Sequence, residues 1–201
     1  PINFSIIARA GAANLSWSNG PIGGSYGDSP THYIIYRSED GKSWDNGTES
    51  TEAALSVELS PGEMSYFRVA AANAGGLSFP SETLAIKVNE LVDHAPILIV
   101  SAFDRLQASS LFWVDAGSIG SVKRMDTQRI NAYNTIIQHA ESLGSIEYPF
   151  DSTSDESLAT IDLSKYSLVI WIAGEESTFD STFSVSEQQS IRDYVEGGGK
   201  L

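Results

Sequence analysis

The first half of the chain consists of short runs in which apolar and polar residues alternate, separated by turn-forming residues. Alternation with a period of two residues is typical of strands that are buried on one face. Glycine, proline, asparagine and aspartate are concentrated between the runs, as in residues 19–24 and 39–42, and favour turns there. This spacing predicts an all-β sandwich. The runs are residues 4–8, 14–18, 32–38, 54–59, 66–73 and 83–88.

The second half of the chain has a different periodicity. Residues 97–100 form a continuous apolar run, as expected for a strand of a parallel sheet that is covered on both faces. Within residues 127–143 apolar side chains recur three and four positions apart, which predicts an amphipathic helix that Gly144 ends. The apolar positions of this helix are Ile130, Tyr133, Ile137 and Ala140.

Two more strands and a second helix follow. Residues 146–148 predict a short second strand, and residues 167–172 form an apolar third strand. Residues 184–187 match a capping box, which begins a last helix that Gly197 ends. This order of elements predicts an open α/β sheet. The inward-facing residues of the last helix are predicted to be Ile191, Tyr194 and Val195.

These patterns predict a multidomain chain. An all-β immunoglobulin-like sandwich occupies residues 1–90, a linker follows at 91–96, and a three-layer α/β domain with a parallel sheet occupies 97–201. The glycine run at 197–199 is followed by what resembles the start of another strand. We therefore expect the second domain to be incomplete at its C-terminus.

Charge and composition exclude several classes of function. The formal net charge is −14, from 26 acidic and 12 basic residues, and no Lys/Arg cluster could neutralise phosphates, so nucleic-acid binding is not expected. Without cysteine the chain has no disulfide, no thiolate nucleophile and no Cys-ligated metal. No run has the length of a membrane span, so membrane insertion is not expected either.

Candidate site residues follow the first and third strands of the predicted α/β sheet. Asp104 and Arg105 come after the first strand, and Glu175, Glu176 and Ser177 come after the third. Ligands of open α/β sheets bind beyond the carboxyl ends of strands, so adjacency of these two strands would place both groups at one crevice. Paired carboxylates suit acid–base catalysis or a hard metal ion. The alternative, which the sequence favours, is a structural or salt-bridge role with arginine as the partner.

A complete catalytic constellation is not evident in the sequence. The 25 residues from 102 to 126 lack a clear period, and Phe112, Trp113 and Val114 within them either pack on the sheet, which we favour, or line a substrate cleft. No pair of histidines has metal-ligand spacing, so no metal site is predicted. No phosphate-binding glycine loop or nucleophile elbow is present, and no cofactor is expected.

Residues 1 to about 90 resemble a fibronectin type III domain. The most specific part is residues 59–73, Leu-Ser-Pro-Gly-Glu-Met-Ser-Tyr-Phe-Arg-Val-Ala-Ala-Ala-Asn, which is similar to the loop and sixth strand of that family. The resemblance implies that Tyr66 is the tyrosine corner and that Trp17 and Tyr36 are core residues. An alternative is a sugar-binding aromatic strip, but core packing is favoured. That strip would consist of Trp17, Tyr33 and Trp44.

Residues 95 to 201 resemble a class I glutamine-amidotransferase-like domain. The similar segments are residues 134–140, 148–152, 171–177 and 182–184. The variant that they resemble follows fibronectin type III modules in secreted bacterial proteins labelled xanthan-lyase-like or N-acetylmuramoyl-alanine-amidase-like. The resemblance implies a flavodoxin-like sheet and a secreted, periplasmic or cell-surface location. The catalytic cysteine and histidine of true amidotransferases would follow Leu201.

Two functions remain open at this point. The first is a non-catalytic binding or scaffold portion of a secreted bacterial cell-envelope protein, with carbohydrate or peptidoglycan as its partner. The second is the front half of a polysaccharide- or cell-wall-degrading hydrolase or lyase whose nucleophile lies beyond Leu201. The sequence does not determine the oligomeric state.

Overall fold

The structure, a computed structural model, describes residues 1–23, 27–89, 95–103, 111–124, 126, 131–174 and 182–201. Eight strands of the first half form a sandwich of two antiparallel sheets. The first sheet has the order β1–β2–β5, from β1 (Ile2–Arg9), β2 (Ala12–Ser18) and β5 (Ala54–Glu58). The second has the order β4–β3–β6–β8, from β3 (His32–Ser38), β4 (Thr48–Ser50), β6 (Met64–Asn73) and β8 (Leu84–Lys87), and β7 (Gly76–Leu77) pairs with the end of β6.

The predicted sandwich is confirmed, and its core consists of the apolar members of the alternating runs. Trp17 on β2 is only 5% exposed. Its indole makes edge-to-face contacts with Phe4 on β1 and Tyr33 on β3. Each predicted strand is present within two residues of its predicted bounds. Strands β4 and β7 were not predicted, because runs of three and two residues show no period.

The predicted tyrosine corner is wrong. Tyr66 is fully buried, but its hydroxyl lies 4.0 Å from Met64 Sδ and does not bond back to the loop backbone. Neighbouring Phe67 pairs with Arg37 and Leu84 on the core face, and the period of two places Tyr66 on the outer face of β6. Burial, with the charge of Glu141, raises the pKa of Tyr66 to about 12. Tyr66 is therefore buried on the outer face of β6 and not between the two sheets of the sandwich.

Among its described residues, the second half of the chain has three parallel strands and two α-helices. These are β9 (Ile97–Ser101), β12 (Phe150–Ser154) and β13 (Leu168–Ile172), with α1 (Ile136–Ser145) and α2 (Val185–Glu196). Strand β9 lies in the middle, parallel to β12 on one side and β13 on the other. The first and third strands of this half are therefore adjacent, which is the condition for a shared crevice. A single parallel bridge joins Lys200 to Leu168 at the other edge of β13.

Apolar side chains cover both faces of these parallel strands. Helix α1 lies on one face and extends over the sandwich, where Ile137 approaches Gly41 and Tyr66 on its outer surface. A Cβ added to Gly41 would lie 2.6 Å from Ile137 Cδ1, so this close approach requires glycine. On the other face a second cluster forms with α2 and two 3-10 turns. This cluster contains Leu98, Val100, Leu158, Leu163, Tyr166, Val169 and Tyr194.

Four predictions for the second half are wrong in detail. Residues 146–148 are not a strand, because the second strand is β12. Helix α1 begins only at Ile136, since Tyr133 has a φ of +51° that an α-helix cannot contain. Gly144 lies inside α1 and does not end it. Val195 is 48% exposed, whereas Tyr194 is buried and the capping box at Ser184 and Glu187 is confirmed.

Strand β12 joins the two halves in one sheet, so the parallel strands do not form a sheet of their own. One edge of β12 pairs with β9, and its other edge pairs with β1 and β8, the two strands at the open side of the sandwich. The side chain of Ser152 adds to this pairing, because its Oγ donates to Ala85 O at 2.5 Å and accepts from Ala85 N at 3.1 Å. We call this junction of β12 with β1 and β8 the seam.

Asp151 is a buried carboxylate in the seam. Its Oδ1 accepts from Ala8 N of β1 at 2.9 Å, and its Oδ2 accepts from Ala95 N at 3.3 Å and from the hydroxyl of Tyr166 at 3.0 Å. Burial raises the pKa of Asp151 to about 6, although these three donors oppose the rise. One side chain thus connects the sandwich, the segment before β9 and the turn before β13.

Replacing Asp151 by alanine should destabilise the whole molecule. Asp151→Ala would leave the N–H groups of Ala8 and Ala95 buried without an acceptor, so the free energy of unfolding should fall by about 2 kcal/mol. Urea unfolding measures this change, with Glu39→Ala on an exposed loop as the control. A loss no larger than that of the control would contradict the role given to Asp151.

The same carboxylate should make stability depend on pH. Because its pKa is raised from 3.8 to about 6 by folding, its contribution is fully present below pH 3.8 and is lost as the pH rises through 6. Relative to Asp151→Asn, which cannot titrate there, the wild-type chain should lose about 1 kcal/mol between pH 5 and pH 7.5. Unfolding curves of both chains at the two pH values test this, and a constant difference would argue against it.

Candidate functional site

The five predicted site residues lie outside the described residues. They are Asp104, Arg105, Glu175, Glu176 and Ser177. Their chain neighbours Phe103 and Gly174 are described, and they follow the adjacent strands β9 and β13 at the carboxyl edge of the parallel strands. The two segments that lead to the predicted residues therefore start next to each other, while the roles of the five side chains stay predictions.

Phe103 and Gly174 are in direct contact at this edge. Gly174 has a φ of +65°, and a Cβ added to it would lie 2.1 Å from Phe103 Cγ. Glycine is needed here both for the backbone conformation and for the space. The start of the segment after β13 is therefore held against the start of the segment after β9.

Asn131 joins the same edge to the loop before α1. It is buried, its Nδ2 donates to Phe103 O at 2.6 Å, and its Oδ1 accepts from Tyr133 N at 2.8 Å. Thr83, next to β8 of the sandwich, donates its N–H to Tyr133 O at 2.7 Å. Sequence reasoning missed Asn131 because its position was assigned to a helix. The signal that could have identified it is the asparagine itself, because Asn side chains often bond to the backbone two residues on, as Asn131 does with Tyr133 N.

Serine hydroxyls lie at the ends of β9 and β12. Ser101 and Ser154 are paired in register, and Ser154 Oγ lies 3.4 Å from Ser157 Oγ. All three side chains are buried. Within the described ranges none of the three hydroxyls bonds to a histidine or a carboxylate.

A hairpin separate from the main sheet leaves and returns between β9 and α1. It consists of β10 (Phe112–Asp115) and β11 (Ser121–Arg124), which pair antiparallel around a turn. Phe112, Val114 and Val122 share one face and are half-buried. The other face, which we call the outer face of the hairpin, is exposed. It carries Trp113, Asp115, Ser121 and Lys123.

Trp113 contradicts the favoured expectation that its segment packs on the sheet. Its side chain is 65% exposed, and Ile119 in the turn of the hairpin is 78% exposed. Lys123 lies directly opposite Trp113, with its Nζ 5.6 Å from the centre of the indole ring. Large apolar side chains that remain exposed on a two-stranded hairpin are candidates for binding.

The predicted aromatic residues of the sandwich are mainly structural. Trp17 and Tyr33 are buried in the core, as favoured over a sugar-binding strip. Trp44 is partly buried and lies under the guanidinium of Arg68, 4.2 Å from the ring centre. Tyr36 was expected in the core, but it is only half-buried on the outer face of β3, where Arg68 also stacks on it.

Other candidate sites give little chemistry. Two clefts of about 480 and 800 Å³ lie on the sandwich, the first beside Ile22 and Leu77 and the second beside Trp44 and Asp45. In the part of the chain that the structure describes, no three His, Cys, Asp or Glu side chains group as metal ligands. No helix within the described ranges is long and apolar enough to cross a membrane.

Solved structures similar to this chain are fibronectin type III domains. The sixth such domain of human fibronectin type III domain containing protein 3 is 20% identical, covers 44% of this chain and 84% of that one, and has a TM-score of 0.38. A further domain of the human protein of that name is 24% identical over 44% and 85%, with a TM-score of 0.37. The fourth fibronectin type III domain of a human protein is 21% identical over 45% and 78%, with a TM-score of 0.39.

No protein-family model and no curated protein matches the chain. The immunoglobulin-like sandwich is defined by the strand orders β1–β2–β5 and β4–β3–β6–β8 of the structure itself. The resemblance of residues 95–201 to glutamine amidotransferases stays a prediction, as does the alternative function of a hydrolase front half.

The contact between Phe103 and Gly174 gives a test of the carboxyl edge. Gly174→Ala combines a strained φ with a steric clash, so the free energy of unfolding should fall by about 3 kcal/mol. Gly62→Ala is the matched control, because Gly62 has a φ of +85° but no atom within 4 Å of an added Cβ. This substitution should lower the free energy of unfolding by about 1 kcal/mol. Urea unfolding compares the two, and equal losses would show that the contact with Phe103 is unimportant.

Proposed function

We propose that this chain is a non-catalytic binding or scaffold portion of a secreted bacterial cell-envelope protein that recognises carbohydrate or peptidoglycan. The observation that supports it is the exposed indole of Trp113 on the outer face of the hairpin. In the chain the hairpin lies between β9 and the loop before α1, and this strand and loop meet at the carboxyl edge of the parallel strands, where α/β sheets bind ligands.

An exposed tryptophan suits a sugar ring. The indole is a large, rigid apolar surface, and sugar rings present C–H groups on one face and hydroxyls around the edge. Burying such a flat residue orders few rotatable bonds, which is why tryptophan is enriched among residues that dominate binding. On the same face, the hydroxyl of Ser121 offers a hydrogen-bonding group to a ligand.

A binding role agrees better than catalysis with the described groups. The buried hydroxyls of Ser101 and Ser154 have no acid–base partner among them, whereas Trp113 is accessible without any rearrangement. The seam supports a scaffold role, because it connects the sandwich rigidly to the parallel strands through main-chain pairing.

The amidotransferase-like assignment is part of this proposal. The order β12–β9–β13 is second–first–third along the chain, which is the order of the first three strands of flavodoxin-like sheets. The secreted, periplasmic or cell-surface location rests on the resemblance and on the absence of cysteine. We expect the protein to act at the cell envelope without inserting into the membrane.

A glycan pull-down tests the function. Purified chain should be retained by peptidoglycan sacculi or by immobilised polysaccharide, and Trp113→Ala should weaken retention about tenfold without changing the unfolding curve. Phe79→Ala removes another exposed aromatic side chain, outside the hairpin, and should bind like the wild type. If the wild type is retained by none of these materials, the proposal is wrong.

A further inference from the structure

We infer that the outer face of the hairpin binds a carboxylate-bearing sugar, with the ring on Trp113 and the carboxylate on Lys123. This inference rests on the proposed function and names the ligand class for the same site. It follows from the cation that lies opposite the exposed ring of Trp113.

Acidic residues outnumber basic ones in the chain by 26 to 12. Among the described cations, Arg37 forms an ion pair with Glu63, Lys42 with Glu141, and Lys87 with Glu147. Lys123 and Arg124 are adjacent and exposed, and neither forms an ion pair with a described residue.

The contact that the structure gives Lys123 is with the ring of Trp113. The two residues form a directly opposed cross-strand pair, with Nζ 5.6 Å from the ring centre. A cation–π contact at an exposed site is weak, so the ammonium can turn to a ligand carboxylate while its stem still borders the indole. The one acidic side chain on this face, Asp115, already accepts from Gly117 N at 2.9 Å.

The geometry therefore favours a ligand with a flat apolar ring and one negative charge at its rim. A neutral sugar would use Trp113 but would leave Lys123 without a partner. A nucleic acid would bring many phosphates to a chain with a net charge of −14, which opposes binding. A carboxylated sugar can stack its ring on Trp113 and pair its single negative charge with Lys123.

The test compares one oligosaccharide with and without its charge. Oligogalacturonate and its methyl ester share a backbone, and titration calorimetry at low salt should give the acid form about fivefold tighter binding to the wild-type chain. Lys123→Gln should remove this preference while keeping binding of the ester, and Trp113→Ala should weaken both. Arg192→Gln, an exposed site on α2, controls for the change in net charge.

The outcomes separate this inference from the proposed function. Equal binding of acid and ester would overturn the carboxylate inference and leave a glycan-binding role intact. If the wild type binds sacculi but neither oligosaccharide, the carboxylate belongs to peptidoglycan. Lys123→Gln should then weaken retention by sacculi about fivefold. Unchanged retention would overturn the inference. No binding of acid, ester or sacculi by the wild type would overturn both.

Discussion

The seam between β12 and the sandwich is the constraint on which the rest of the structure depends. A sandwich of this order leaves unpaired main-chain groups along β1 and β8 at its open side, and β12 pairs with both strands. Strand β12 pairs with only part of β1 and part of β8. Side chains complete the junction, because Ser152 bonds to the main chain of Ala85 and Asp151 accepts from Ala8 N. Buried polar residues are thus stabilising here because each has partners.

This seam makes the two halves one mechanical unit. Helix α1 follows β9 in the chain but lies over Tyr66, a residue of the sandwich, and the cores of both halves are continuous. The loop before α1 is attached to Thr83 through Tyr133, and Asn131 links that loop to Phe103. The carboxyl edge of the parallel strands is consequently positioned by contacts from both halves.

The hairpin differs from this rigid body in its exposure. Its outer face combines an aromatic surface with a cation in a strongly acidic chain, and no described residue covers it. An exposed apolar surface on a two-stranded hairpin carries a cost in solubility, which the binding role that we propose would offset. An exposed hairpin beside the joined halves agrees with the binding role that we propose.

Local sequence patterns predict the sandwich strands, β9, β13 and the capping box of α2, because each depends on a short period or on a motif within four residues. It did not reveal β12, whose Asp, Ser and Thr residues read as polar until their partners on β1, β8 and Tyr166 are known. Tyr66 was placed in the family's corner, although register puts it on the opposite face under α1. The start of α1 and the exposure of Trp113 were also misjudged. These features depend on contacts between residues far apart in the chain, which local sequence patterns do not contain.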